Sequence, residues 1–179
     1  MILSDSDLLR YLKSRKLVVR PMGSETIREN GLDMCLADQI AVHNPRFGDG
    51  FILDPSNEEH LRIEYQIRKG QKKLILPPRS QVLLSTKEYI KMPADLVGFI
   101  ALRSTWARHG LSIPPTIIDA GFSGTITVEV VNNAPHGIEL RPGVRFAHVV
   151  FATTISPVKN VYSGKYLGQS GIKTSKAVK

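Results

Sequence analysis

The chain has 179 residues, the length of one domain, and carries 24 basic against 16 acidic side chains for a net charge of +8. A self-sufficient core is accessible at this length without staples, and the single cysteine, Cys35, excludes an internal disulfide and any Cys-x-x-Cys metal or redox site. The opening residues MILSDSDLLRYLKSRK hold no basic leader ahead of an apolar run, and nothing approaches the ~18 uncharged residues of a membrane span, so a cytoplasmic setting without membrane contact is expected.

The first element in chain order is a short helix. Ser4 is placed to cap it, Asp7 stands three residues on, and Leu8, Leu9 and Leu12 follow at helical spacing, with an end near Arg15 or Lys16. After Val18 the pattern changes to short apolar or alternating runs. These are Met34 to Val42, Leu61 to Ile67, Lys73 to Leu76, Val82 to Thr86, Val97 to Leu102, Thr125 to Val131, Ile138 to Leu140 and Arg145 to Phe151, each read as a strand. Asn44 to Phe51 and Pro55 to His60 read as surface loops, and Pro77-Pro78, Pro93, Pro114-Pro115, Asn132-Asn133 and Pro142-Gly143 punctuate the rest. Short strands between frequent turns describe a sandwich or barrel, and the lack of repeats and of helix-strand alternation argues against a doubly wound nucleotide fold. The chain thus divides into a β domain with an N-terminal helix over residues 1–161 and a C-terminal segment, 162–179.

That segment is basic. From Ser156 onward stand Lys159, Lys165, Lys173, Lys176 and Lys179 with no acid. Within it, GKYLGQSG (Gly164 to Gly171) has three glycines in eight residues, too many for a stable element but suited to a flap that closes; a solvated basic end fits the same composition. The net charge calls for an anionic partner, either nucleic acid or a nucleotide polyphosphate. Aromatic residues make up only 7% and are not interleaved with the basic ones, as the stacking platforms of a nucleic-acid-binding barrel require, so no nucleic acid is expected.

Several mechanisms are missing from the chain. The H-x-E and P-C-x-x-C signature of zinc nucleobase deaminases is absent, and His43, His60, His109, His136 and His148 show no metal-ligand spacing, so no protein-held zinc is expected. Gly164-Lys165 is not a phosphate-binding P-loop, because Tyr166 follows the lysine and no glycine stands five before Gly164. No G-x-S-x-G elbow occurs, and Cys35 has no identifiable partner base.

What chemistry there is concentrates between Arg103 and Val131. Arg103, Ser104, Thr105 and Arg108 put two guanidinium forks and two hydroxyls within six residues, an inventory for phosphate oxygens, or else a polar junction in which Ser104 caps a helix. Asp119 enters a turn before Phe122 and serves either a ligand or an Asx-turn. Alternation from Thr125 to Val131 puts Ile126, Val128 and Val130 on one face and Thr125, Thr127, Glu129 and Val131 on the other. Glu129 is therefore either a solvated carboxylate or an acid/base lining a pocket.

Together, MILSDSDLLRYL, ENGLDMCL, MPADLVGFIALRSTWARHGL, IIDAGFSGTITVEV and YSGKYLGQSG, in this order, resemble the dCTP deaminase branch of the dCTP deaminase/dUTPase superfamily, in its archaeal form. The resemblance implies an all-β, distorted jelly-roll (β-clip, dUTPase-like) fold, assembled as a homotrimer with sites at subunit interfaces. It implies that Glu129 is the catalytic acid/base, assisted by Arg108 and Ser104. By the same resemblance Arg103, Ser104, Thr105 and Arg108 bind phosphate and position water, Asp119 binds the deoxyribose, and Phe122 packs on the sugar. Tyr162, Lys165, Tyr166 and Gln169 match a tail that folds over the triphosphate.

The implied reaction is hydrolytic deamination of dCTP to dUTP and ammonia, with magnesium carried on the triphosphate and no zinc, and with dTTP as an inhibitor. Two readings within the superfamily stand beside it, dUTP diphosphatase with Asp119 activating water, and a bifunctional enzyme making dUMP from dCTP. Arg103 to Asp119 spans 17 residues here, shorter than in better-known bacterial members, and Pro114-Pro115 occupies the stretch whose backbone reads the pyrimidine edge in the family.

Overall fold

The structure is a computed structural model that describes residues 1–46, 48 and 50–177. Among these the elements run α1 (Asp5–Lys13), β1 (Val18–Arg20), β2 (Ile27–Arg28), β3 (Gly31–His43), α2 (Glu58–Glu64), β4 (Tyr65–Arg68), β5 (Leu74–Leu76) and β6 (Ser80–Lys91). There follow β7 (Leu96–Leu102), α3 (Ser104–Arg108), β8 (Leu111–Ser112), β9 (Thr116–Ile118), β10 (Ser123–Asn132), β11 (Ile138–Leu140) and β12 (Arg145–Thr153). The expected all-β class holds.

The α1 helix starts where its cap predicts. The Ser4 side chain accepts from Asp7 N while the Asp7 carboxylate accepts from Ser4 N, a reciprocal capping box. It ends earlier than the spacing suggests, at Lys13, because Ser14 caps it and Arg15 takes a left-handed φ of 56°. The expected strand Leu61 to Ile67 is a larger departure: Glu58–Glu64 is helical, and only Tyr65–Arg68 is extended. The Asn57 side chain accepts from Glu59 N and His60 N, so an N-cap inside what reads as a loop starts a helix that apolar counting alone does not find. Part of the neighbouring loop Asn44 to Phe51, namely Phe47 and Asp49, lies outside the described residues, as does Lys179 of the basic end.

The main sheet runs β8-β10-β6-β3-β12-β7-β9, with β1 on β6 and β2 and β4 on β3; β5 and β11 form a separate pair. Strand β3 makes this sheet curl. Its first half pairs with β12 (Leu32 opposite Val149, Cys35 opposite Arg145), and after an irregularity between Leu36 and Ile40 its second half pairs with β6 (Ile40 opposite Leu84, Val42 opposite Val82). One strand shared between two stretches of sheet folds them face to face, with Leu32, Met34, Leu84, Ile90, Leu96, Val130, Phe146 and Phe151 filled in between and essentially inaccessible. At ~25 cal/mol per Å² of apolar surface, each such side chain contributes roughly 1.5–3 kcal/mol toward holding the curl closed.

Strand β10 carries the candidate carboxylate. It pairs with β6 from Ser123 opposite Lys91 to Asn132 opposite Ser80, interrupted between Thr125 and Thr127. There the Thr86 hydroxyl accepts from Ile126 N at 2.9 Å, so the bulge leaves no orphan donor. The alternation expected for β10 is observed: Ile126, Val128 and Val130 are buried, and Thr125, Thr127, Glu129 and Val131 are half-buried on the other face.

Candidate active site

Beside β10 opens a cavity of about 410 Å³, large enough for a nucleotide-sized ligand, whose lining includes Asp119, Phe122, Glu129, Tyr162, Tyr166 and Gln169. Six of the residues singled out from the sequence therefore converge, from β10, from the turn that precedes it and from the C-terminal segment.

The turn is shaped by Gly121. Phe122 N donates to Asp119 O at 3.1 Å, and Gly121, third in the turn, has φ +85°, the left-handed conformation that such a turn requires. The turn puts Phe122 into the wall, 8% exposed, while Asp119 stays exposed on the rim. Phe122 meets Tyr162 edge-on, with ring centroids 5.7 Å apart.

Burial pushes the Glu129 carboxyl above its ordinary value of 4.5, opposed by a hydrogen bond from its own backbone N–H. No described side chain makes a salt bridge or side-chain hydrogen bond with it. A half-buried carboxylate without a counter-ion, facing a cavity, holds its proton more readily than a surface one, which suits a group that takes and returns protons.

The C-terminal segment lies along the same wall. Tyr162 N donates to Ala120 O at 2.9 Å, Gly168 N to Ser123 O at 2.7 Å, and Lys173 N to the Thr127 hydroxyl at 3.1 Å. Gln169 Nε2 donates to Thr125 O at 2.6 Å, which leaves its Oε1 buried without a partner among the described residues. Lys165 does not reach the cavity: its Nζ donates to Ala177 O at 2.7 Å.

Nor do Arg103, Ser104, Thr105 and Arg108 line it. They follow β7 on the short helix α3, where Arg103 and not Ser104 takes the N-cap position and no side chain makes a capping bond. Trp106 anchors the helix, its Nε1 donating to Arg145 O at 2.8 Å, and Ser104, Thr105 and Arg108 are left exposed. Arg103 is held by a buried carboxylate, Asp33, at 3.3 Å; Asp33 is 3% exposed and also receives Arg145 at 3.4 Å and His148 Nδ1 at 2.9 Å. Among the described residues no group of three or more His, Cys, Asp or Glu is gathered as a metal site.

Residues 2–154 match the dCTP deaminase-like family model. The chain belongs to this family. Among curated members, the dCTP deaminase of Caldivirga maquilingensis is 44% identical over 180 residues, covering 100% of this chain and 98% of that protein. The dCTP deaminase of Pyrobaculum aerophilum is 45% identical over 179 residues, with the same coverage. A solved 2'-deoxycytidine 5'-triphosphate deaminase from Agrobacterium tumefaciens superposes with a TM-score of 0.63 at 18% identity, over 84% of this chain and 46% of that one, a likeness of fold alone. A Staphylococcus bacteriophage 80alpha dUTPase with dUPNHPP gives a TM-score of 0.51 at 15% identity over 83% of this chain and 89% of that one, again a likeness of fold.

Further polar residues of this dCTP deaminase-like chain line the cavity without a sequence signal to announce them, among them Tyr65, Gln81, Thr116 and Ser175, and Lys173 of the basic end lines it too. Tyr65 stands where α2 gives way to β4, and Gln81 is the second residue of β6, just ahead of Val82, where the strand is expected to start. Only strand pairing brings these two beside Glu129.

Proposed function

We propose that the protein hydrolyses dCTP to dUTP and ammonia, with Glu129 as the proton-transferring group. The observation that carries this is Glu129 itself, half-buried and unpaired by any described side chain, facing a cavity that also holds Phe122 and is rimmed by Asp119. Ionised Glu129 takes a proton from water as the water oxygen bonds to C4 of the base. It gives that proton to the ring N3, then takes the remaining proton of the C4 hydroxyl and passes it to the departing nitrogen, so the C4–N4 bond breaks, the 4-oxo group forms and ammonia leaves. Phe122 packs on the deoxyribose, disfavouring a 2'-hydroxyl, and Asp119 accepts from the sugar hydroxyl. A magnesium ion carried by the triphosphate would supply charge neutralisation there, and a single rim carboxylate, Asp119, with no larger group of ligands among the described residues, suits a nucleotide-borne ion better than a resident metal site. dTTP, sharing sugar and triphosphate, is proposed as a competing inhibitor, and the cytoplasm as the setting.

The active unit we propose is a homotrimer whose sites lie between chains. Arg103, Ser104, Thr105 and Arg108 lie away from the cavity of their own chain, and three of them are exposed, which supports their use in a neighbour's cavity, Arg108 and Ser104 there positioning water and phosphate. Phe99 and Ile117, paired in register across β7 and β9, are 47% and 55% exposed, an apolar surface that a neighbouring chain would cover. In this account residues 162–179 form a flap whose donors, Lys165 and Gln169, exchange their present backbone partners for the triphosphate.

Asp119 favours one second reading. An exposed carboxylate on the rim is free to activate water at phosphorus, as a dUTP diphosphatase or a bifunctional enzyme requires. Incubation with dCTP and magnesium, followed by separation of dUTP, dUMP and pyrophosphate, tests both: dUTP with ammonia is expected, and dUMP with pyrophosphate would transfer the assignment to the bifunctional reading.

A further inference from the structure

We infer that Gln81 and Tyr65 form the pair that reads the exocyclic group of the base and sets the preference for a 4-amino over a 4-oxo pyrimidine. This rests on the reading that the cavity takes a pyrimidine deoxynucleoside triphosphate.

The register of β10 and β6 places Glu129 opposite Leu83 and Val131 opposite Gln81. Side chains two apart on a strand share a face, so Gln81 lies on the face of Glu129, one diagonal step away. Tyr65 reaches the same spot from the strand beyond β3: it is opposite His43 across β3 and β4, and the two rings stack with centroids 4.4 Å apart. The Gln81 amide nitrogen donates to the Tyr65 hydroxyl over a long 3.5 Å, a tie weak enough to admit a ligand between other groups.

Order along β10 then orients the nucleotide. Phe122 and Asp119 precede the strand, Glu129 lies well along it, and Gln81 is level with Val131 beyond. With the sugar on Phe122 and C4 at Glu129, the exocyclic group points toward Gln81 and Tyr65. Pro114 and Pro115, at the stretch expected to read the pyrimidine edge, do not line the cavity of their own chain, whereas Gln81 and Tyr65 do.

The donor and acceptor inventory decides the preference. With Nε2 given to Tyr65, Gln81 keeps Oε1 as an acceptor, which a 4-amino group satisfies and a 4-oxo group opposes. Tyr65, accepting from Gln81, keeps its O–H to donate toward Glu129 or water in the cavity. Burial, with the charges of Glu64 and Glu129, pushes this phenol up to about 12, so it remains a donor through neutral pH.

The test is nucleotide binding by calorimetry, with magnesium, in a Glu129→Gln background that does not turn over. The parent is expected to bind dCTP more tightly than dUTP; Gln81→Leu should cut that ratio roughly 10-fold or more, and Gln81→Glu, which keeps an acceptor, should restore most of it. Tyr65→Phe preserves the ring on His43 and should weaken dCTP several-fold, which keeps the inference testable if Gln81→Leu fails to fold. A dCTP to dUTP ratio unchanged in Gln81→Leu and in Tyr65→Phe overturns the inference while leaving the proposed function standing. Absence of ammonia release from dCTP by the unaltered protein overturns both.

Discussion

Gln169 lies on Gly124 so closely that a Cβ at position 124 would come 2.8 Å from the Gln169 carbonyl oxygen. Gly124 also has φ +146°, and the same carbonyl accepts from Thr125 N at 3.0 Å. The C-terminal segment is thus seated on the strand that carries Glu129, at a point where only hydrogen makes room. Gly124→Ala should dislodge the segment while β10 keeps its pairing with β6. The Michaelis constant for dCTP is expected to rise several-fold and turnover to fall, with a stability loss of about 1–2 kcal/mol by thermal melting.

Removing the segment outright is the more drastic version. Tyr162, Tyr166 and Gln169 contribute to the cavity wall, but apart from Ile172 the buried apolar side chains all precede them. Truncation after Val161 should raise the Michaelis constant and lower turnover together, each about 10-fold or more, while circular dichroism and a cooperative melt show the β domain intact. Normal turnover by the truncated chain would mean that the basic end plays no part in the reaction.

The outward face of β10 was legible from period-2 alternation alone, because a strand with one buried face must alternate, and Glu129 falls on the open side. The capping box at Ser4 and Asp7 was legible because its signal is local. The helix at Glu58–Glu64 was not, since its cap, Asn57, sits among residues that also suit a loop. Gln81 and Tyr65 were invisible for another reason: 16 positions separate them, and 48 separate Gln81 from Glu129, so only sheet register brings them together. The separation of Arg103, Ser104, Thr105 and Arg108 from the cavity could not be read at all, because composition near a strand end says nothing about which way the following helix faces.

Glu129→Gln should reduce ammonia release at least ~100-fold while dCTP still binds, since the amide keeps the shape but moves no protons. The same change has a signature in stability. Burial holds the folded-state pKa above the unfolded 4.5, so the folded protein binds more protons than the unfolded chain in the window above 4.5, and stability falls as pH rises through it. Glu129→Gln removes that loss, and its melting temperature is expected to match or exceed that of the unaltered protein at neutral pH. A melting temperature that drops more at pH 7 than at pH 4 would contradict the buried, unpaired state of this carboxyl.

Sites shared between chains make a prediction that a single-chain site does not. Arg108→Ala and Glu129→Gln should each be nearly inactive alone, yet co-refolded mixtures should regain a fraction of the activity, because some sites then combine an intact Arg108 from one chain with an intact Glu129 from another. Mixing without any recovery, in a preparation shown to exchange subunits, would place both groups in one chain's site.

On the proposed function, this cavity removes an amino group from cytosine. The most direct measurement gives the unaltered protein equal concentrations of dCTP and dUTP with magnesium and follows ammonia and pyrophosphate in the same vessel. Ammonia matched mole for mole by loss of dCTP, with dUTP accumulating, is the result the account predicts. Pyrophosphate from dUTP with no ammonia from dCTP would contradict it and make Asp119 the principal catalytic carboxylate.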